Sequence, residues 1–295
     1  MLNNNSKLLD PYVSQNNEER VKEVLSSRAT QLSSEAVPKG VSVIILTLNH
    51  AEFIIPLITH LLETEMPYFS SKSIPFEVII GDTGTSDIKI LDFYDTHSKQ
   101  LILKKSMEYN FSKCNNYLAF QKASYDTLLF LNNDILFPAK TATIYRLYDY
   151  LYKNEKRAAV SPIMFFPDGR LQFSGFDFFT SGPLKGLPFH THAGEIYTHY
   201  DLYESYGSPA LTGACLMVRK ILFSMCGGMD EAYEVECQDV SFCLELKRLG
   251  YDMSVLNCGN IIHFENGTRP KNDEYWKDRQ RFMRKWGSFI EATLI

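Results

Sequence analysis

Nowhere in the 295-residue chain does an apolar run approach the roughly 20 residues that a bilayer-spanning helix needs. The opening stretch, MLNNNSKLLDPYVSQNNEER, has no apolar core of signal-peptide length either. Positive charge is not in surplus: the formal charge is -5, which argues against bulk binding of nucleic acid. Six cysteines are present, at 114, 215, 226, 237, 243 and 258, but none forms a Cys-x-x-Cys pair. No His-x-x-x-His pair accompanies them, so the ligand spacing of a zinc site is missing. These absences lead us to expect free, mostly buried thiols in a reducing, cytoplasmic compartment. They leave room for peripheral contact with the inner face of a membrane.

What is present reads as an ordinary soluble globular chain, 45% hydrophobic and 22% charged, with ample core. Its 20 Phe and 17 Tyr suit clefts as well as cores. Residues 1–40 are polar and Asn/Ser-rich, with one helix-like piece, NEERVKEVLSS; a flexible extension is expected, with a small interaction helix as the alternative and ordering on a partner or a second subunit left open. Beyond PKG the character changes. VSVIILTLN (41–49) and FEVIIGD (76–82) are continuous runs of the kind buried on both faces of a sheet. LILKK and DTLLFLNND supply two more strands, and helix-like segments separate the four. Such alternation predicts an α/β domain with a parallel sheet and helices on both faces.

The chain then divides into a half over 41–160, a half over 161–270 and a C-terminal helix over 271–295. The long segment from Gly169 to Ala210, rich in Gly, Pro, His and aromatics, predicts a lid or binding loop. His190, His192 and His199 within it have no standard metal spacing and are read as loop residues. The tail NDEYWKDRQRFMRKWG predicts a basic amphipathic helix packed through Tyr275, Trp276, Phe282 and Trp286.

In an open parallel sheet, ligands bind outside the carboxyl ends of the strands. Three strands here end in polar groups: Asn49 after the first, Asp82 after the second, and Asn132, Asn133 and Asp134 after the fourth. Side by side they would form one polar floor. Asp82 would accept hydrogen bonds from a base or ribose, and Asp134 suits a hard divalent cation shared with phosphate. The competing reading is that each merely caps a turn or helix.

Taken in order, VSVIILTLN, EVIIGDTGTSD, NFSKCNN, FLNND, GRLQFSG, TGACLMVRK, GGMDE…QDVSFCLELKRLGY, HFENGTR and RFMRKWG resemble the motifs of family 2 glycosyltransferases, including rhamnosyltransferase-like bacterial members. The resemblance spans about residues 41–287. It implies a GT-A fold, an inverting mechanism, a nucleotide-diphosphate sugar as donor and a glycan or lipid-linked acceptor. Surface-polysaccharide assembly is the expected setting, with self-association open. Carried over position by position, Thr47, Asn49, Asp82, Lys113, Asn116, Asn132 and Asn133 would line the donor site. Asp134 and His263 would hold Mn²⁺ or Mg²⁺, and Arg269 would neutralise phosphate. Asp239 would be the general base, with Asp230, Glu231 and Gln238 on the acceptor side.

The competing readings are a helix cap for Asp239, a satisfied sheet histidine for His263 and a solvated Arg269. Two departures from the family pattern stand out: Asn132 takes the first acidic position of the metal motif, and Gln238 replaces the glutamate before the base. They keep a catalytically impaired binding relative in play. A sugar nucleotidyltransferase is the other alternative, but TLNHAEFIIP lacks the Gly-rich loop and lysine that would cradle a triphosphate.

Overall fold

The computed structural model describes residues 37–196, 204–265 and 274–295. The first 36 residues, and with them nearly all of the predicted extension, lie outside the described residues, as do His199 and Arg269. Residues 37–295 form one compact unit, so the two sequence halves share a single sheet.

The chain enters through β1 (Val41–Thr47), whose β-branched side chains are buried on both faces. Helix α1 (Ala51–His60) follows and passes through a π-helical turn, Leu61–Glu65, into α2 (Met66–Ser71). Pro56 stands inside α1, where it withholds one backbone donor. Then come β2 (Phe76–Asp82), α3 (Ile88–Thr96), β3 (Leu101–Lys104), α4 (Phe111–Gln121) and β4 (Thr127–Asn132). Each helix start is marked in the sequence: Asp87 and Asn110 accept the Lys89 and Lys113 amides at 2.9 Å, closing the first turns of α3 and α4.

A two-residue strand, β5 (Ile135–Leu136), leads to α5 (Thr143–Tyr152) and β6 (Arg157–Pro162), elements the sequence reading left unassigned. The N-terminus of α5 is capped from afar. The Glu65 carboxylate, fully buried in the π turn, accepts the Ile144 and Tyr145 amides at 2.8 and 3.3 Å.

After β7 (Met164–Phe165), the predicted loop segment carries four short strands: β8 (Leu171–Phe173), β9 (Phe176–Phe178), β10 (Pro188–His190) and β11 (Ser205–Gly207). Leu171, Phe173, Phe176 and Phe178 are buried there, so this first part of the stretch is packed against the body of the fold. The chain finishes with β12 (Cys215–Arg219), α6 (Lys220–Met225), α7 (Gln238–Arg248), β13 (Asp252–Leu256), β14 (Ile262–His263) and α8 (Glu274–Thr293).

The main sheet has eight strands in the order β11-β13-β6-β12-β4-β1-β2-β3. β1, β2, β3, β4, β6 and β13 point one way; β12 and β11 run against them, so the sheet is mostly rather than wholly parallel. Parallel pairing of β4, β1 and β2 puts their carboxyl ends at one edge, with Leu46 opposite Asn132 and Thr47 opposite Asp82. A second sheet, β5-β14-β7-β8, adjoins that edge, and β9 pairs with β10 separately. On α8, Phe282 and Trp286 are buried as expected, but Trp276 is 51% exposed and takes no part in the packed face.

Candidate active site

The ends of β2, β1 and β4 form a continuous polar floor. Asp82 is buried; its Oδ1 accepts the amides of Gly84 and Thr85, both at 2.9 Å, while Oδ2 has no hydrogen-bond partner. The Tyr94 hydroxyl, also unpartnered, is buried close to Asp82 and Thr47. Burial, and then the neighbouring Asp82 charge, push it well above the usual tyrosine range. Beside Asp82, Thr47 offers Oγ1 to the Asn133 side-chain amide at 3.4 Å. Asn49 has a left-handed backbone, φ 54°, and its Oδ1 accepts the Ser86 and Asp87 amides at 2.9 and 3.1 Å. That side chain therefore staples the loop after β1 to the loop after β2 and frames the floor.

The floor continues into the second sheet. Because β14 pairs antiparallel with β5, His263 lies opposite Ile135, and the Phe264 amide donates to the Asp134 carbonyl at 3.1 Å. His263 Nε2 comes within 3.2 Å of Asp134 Oδ1 and 3.3 Å of Asn132 Nδ2. On its other side Nδ1 meets the Gln172 carboxamide, whose two polar atoms are 2.8 and 3.0 Å away. Gln172 is 3% exposed and reaches on to Glu265 at 3.3 Å. With the Gln172 oxygen accepting from Nδ1–H, the Nε2 lone pair faces Asp134.

Asp239, the second residue of α7, approaches from the far side of β4. Its Oδ2 accepts the Gly213 amide at 2.8 Å and its Oδ1 the Val240 amide at 2.8 Å. The next residue along, Ala214, takes the Asn132 amide on its carbonyl at 2.8 Å, so Asp239 and the floor share one piece of backbone. A side chain at 213 would stand 3.1 Å from Phe111 and 3.3 Å from the Asp239 Cβ, which is why glycine occupies that position. Asp239 is partly exposed, and Gln238 beside it is buried with an unpartnered Oε1.

Residues 42–225 match the model of glycosyl transferase family 2. The chain belongs to that family. Over 251 residues it is 27% identical to the O-antigen biosynthesis protein RfbC of Myxococcus xanthus, covering 80% of this chain and 18% of that protein. It spans about a fifth of the length of the curated relatives it matches, 23% and 18%. Among solved structures, GalNAc-T7 with UDP, GalNAc and Mn²⁺ superposes with a TM-score of 0.64 at 11% identity, over 84% of this chain and 48% of that one. The mannosyltransferase PcManGT from Pyrobaculum calidifontis, with GDP-Man and Mn²⁺, gives 0.54 at 16% identity, over 93% and 73%. The family 2 chain thus has the GT-A fold: a large, mostly parallel sheet flanked by helices.

The fold of this family 2 member does not bring every predicted residue to the floor. Asn116 is buried on α4, where its amide donates to the Met229 carbonyl (2.8 Å) and Glu231 (3.0 Å) and accepts the Met229 amide (2.8 Å). It clamps the 228–231 loop. Gly228 has to be glycine there, since a Cβ would fall 2.4 Å from the Asn116 oxygen and φ is +83°. Lys113 is exposed, with only its backbone amide engaged in the α4 cap. Asp230 pairs with Lys285 at 3.2 Å.

The sequence reading missed Gln172, although GRLQFSG was noted as a motif. Its alternation, with Leu171 and Phe173 buried in the same strand, was the available signal.

Among the described residues no group of three His, Cys, Asp or Glu side chains is gathered closely enough to hold a metal. The pair Asp134 and His263 nevertheless suits one. Adjacent ligands on an octahedral ion with bonds of about 2.0–2.1 Å stand about 3 Å apart, close to the 3.2 Å seen. Gln172 supplies the outer contact that orients a ligating imidazole.

Proposed function

We propose that the protein transfers a sugar from a nucleotide-diphosphate sugar to a hydroxyl of a glycan or lipid-linked acceptor, with inversion. The observation that carries this reading is the unbroken floor from Asp82 through Thr47 and Asn133 to Asn132, His263 and Asp134, with Asp239 joined to it through Gly213 and Ala214. In this reading Asp82 uses its unpartnered oxygen for the base or ribose. Thr47, Asn49 and Asn133 shape the pocket, and Asn132 orients the sugar or diphosphate. Asp134 and His263 hold Mn²⁺ or Mg²⁺. A divalent cation there would supply positive charge to the departing diphosphate.

Asp239 takes the proton from the acceptor hydroxyl as that oxygen bonds to the anomeric carbon. The bond from that carbon to the diphosphate oxygen breaks on the opposite face, and the electron pair leaves with the nucleotide. Asp230, Glu231 and Gln238 border the acceptor side. The UDP and GDP-Man bound in the solved neighbours, each with Mn²⁺, support the donor class and the metal. RfbC supports a setting in surface-polysaccharide assembly. No helix among the described residues is long and apolar enough to cross a membrane.

One observation favours the second reading, a nucleotide- or carbohydrate-binding relative without turnover. Both Asp239 oxygens already accept backbone amides, which occupies lone pairs that would otherwise face an acceptor hydroxyl. The deciding experiment incubates the protein with Mn²⁺ and UDP-, GDP- and TDP-sugars and measures release of nucleoside diphosphate, with thermal stabilisation measured in parallel. Release with one donor carries the transferase reading. Stabilisation by a nucleotide without release carries the second.

A further inference from the structure

We propose that Asp278, on the C-terminal helix α8, is a positioning residue for the general base Asp239, an inference that rests on the transferase reading for its catalytic consequence. Asp278 is 2% exposed. Its carboxylate receives three successive backbone amides from the loop just before α7: Glu234 at 3.0 and 3.2 Å, Val235 at 2.7 Å and Glu236 at 3.1 Å. Three consecutive amides converging on one anion form a nest, here closed by the protein's own side chain.

The loop leaves this nest through Cys237, a buried non-glycine residue held at φ 67°, and α7 begins at Gln238. Asp239 follows at once. Its place is thereby set from two directions: the nest determines where α7 starts, and the Gly213 amide holds its side chain.

The same face of α8 engages this segment repeatedly. Arg279 pairs with Glu236 at 2.5 Å. Lys285 reaches Asp230 at 3.2 Å and Glu245 at 3.3 Å. Trp286 Nε1–H donates to Ser241 Oγ at 2.9 Å on the first turns of α7. Positions 278, 279, 285 and 286 recur at the spacing of two helical turns, so a single stripe of α8 holds the base loop from 230 to 245. Asp278 is the one member of the stripe that is both buried and bonded to backbone. Charged pairs at the rim contribute little by comparison. Asp278 touches neither floor nor metal pair in this structure; it acts through the loop.

The test is Asp278→Asn, which keeps the side-chain shape but turns an amide NH₂ toward backbone donors. Hydrogen exchange on the full chain should show residues 230–245 exchanging at least ten-fold faster, with β1, β2 and β4 unchanged. Stabilisation by nucleoside diphosphate with Mn²⁺ should match the wild type. With whichever donor the release assay selects, kcat should fall by about 10–100-fold while donor KM stays constant, since misplacement by about an ångström suffices for that loss. Asp278→Glu, which retains the carboxylate, should recover more of kcat than Asn.

If Asp278→Asn does not fold, Trp286→Phe, which removes the bond to Ser241 along with part of a buried ring, should show the same pattern at 230–245, smaller in size. Unchanged exchange at 230–245, exchange raised equally across the chain, or parallel loss of nucleotide binding and kcat would each overturn the proposal. A wild type that turns over no donor would instead sink the transferase reading, and the exchange data would still decide whether Asp278 holds the loop.

Discussion

Asp134 Oδ1 and His263 Nε2 stand 3.2 Å apart at the junction of the two sheets, held there because β14 pairs with the strand that immediately follows Asp134. A carboxylate and an imidazole nitrogen this close share either a proton or a cation; in the metal-holding reading proposed above, the Gln172 oxygen would accept from Nδ1–H. Thermal stabilisation by nucleoside diphosphates should therefore grow when Mn²⁺ is added. A ligand at a hundred times its Kd stabilises by about 2.7 kcal/mol. Asp134→Ala and His263→Ala should each abolish the metal-dependent part while leaving a smaller nucleotide effect. A metal response that survives both changes would place the ion elsewhere.

Asp239→Asn should leave nucleotide binding intact, because the residue lies across β4 from the donor floor and contacts it only through backbone. Loss of a general base typically lowers turnover by 10²–10⁴-fold. Steady-state kinetics with saturating donor checks this. Turnover near the wild-type level would require a different base.

Asn49→Ala should destabilise the fold by about 0.5–1.5 kcal/mol, since two backbone amides exchange their acceptor for water. The position also has φ 54°, which alanine tolerates less well than asparagine. Chemical denaturation measures the change, and nucleotide affinity should weaken with it because the two loops framing the floor come apart. A variant as stable as wild type would show that the staple carries no load.

His190 provides a pH dependence whose sign follows from burial. Desolvation lowers it from the ordinary 6.5; Asp239, the Gln172 carbonyl and Glu265 pull the other way, and His263 adds to the lowering. The unfolded imidazole binds its proton near 6.5 and the folded one only at lower pH. Stability from this group is thus complete above that value and is lost as pH falls toward the folded pKa. Melting temperature should drop between pH 7.5 and 5.5, and less steeply in His190→Asn, which keeps a donor for the Gln172 carbonyl. Parallel curves would show that another group sets the slope.

The six thiols are free, and all are buried except Cys226, which is half-buried and pushed up to about 12 by burial. Thiolate, not thiol, is the reactive form. Ellman's reagent at pH 8 should label the native protein slowly and all six sites quickly in guanidinium. Rapid labelling of one native thiol would mark a segment that opens readily.

How much of this was legible beforehand differs from element to element. β1, β2 and β4 could be read because a strand buried on both faces must be apolar throughout, and the change to polar residues at Asn49, Asp82 and Asn132 is visible in the letters themselves. The caps Asp87 and Asn110 were equally local. The small strands from 164 to 190 were not, because two- and three-residue strands carry no period of their own and acquire one only by pairing. Asn116 shows the limit from the other side. Its motif pointed to the nucleotide, while packing turned its amide onto the 228–231 loop.

By itself, then, the sequence determined the long buried strands β1, β2 and β4, their polar ends and the family, since local burial and chain order specify those. Only tertiary structure decided that Gln172 would back His263, that Gly213 would hold Asp239, and that Asp278 would gather the amides of 234–236. Those contacts join segments brought together by non-local strand pairing and helix docking. Short-range pattern cannot encode them, because no nearby residue need change for such a partner to be present or absent.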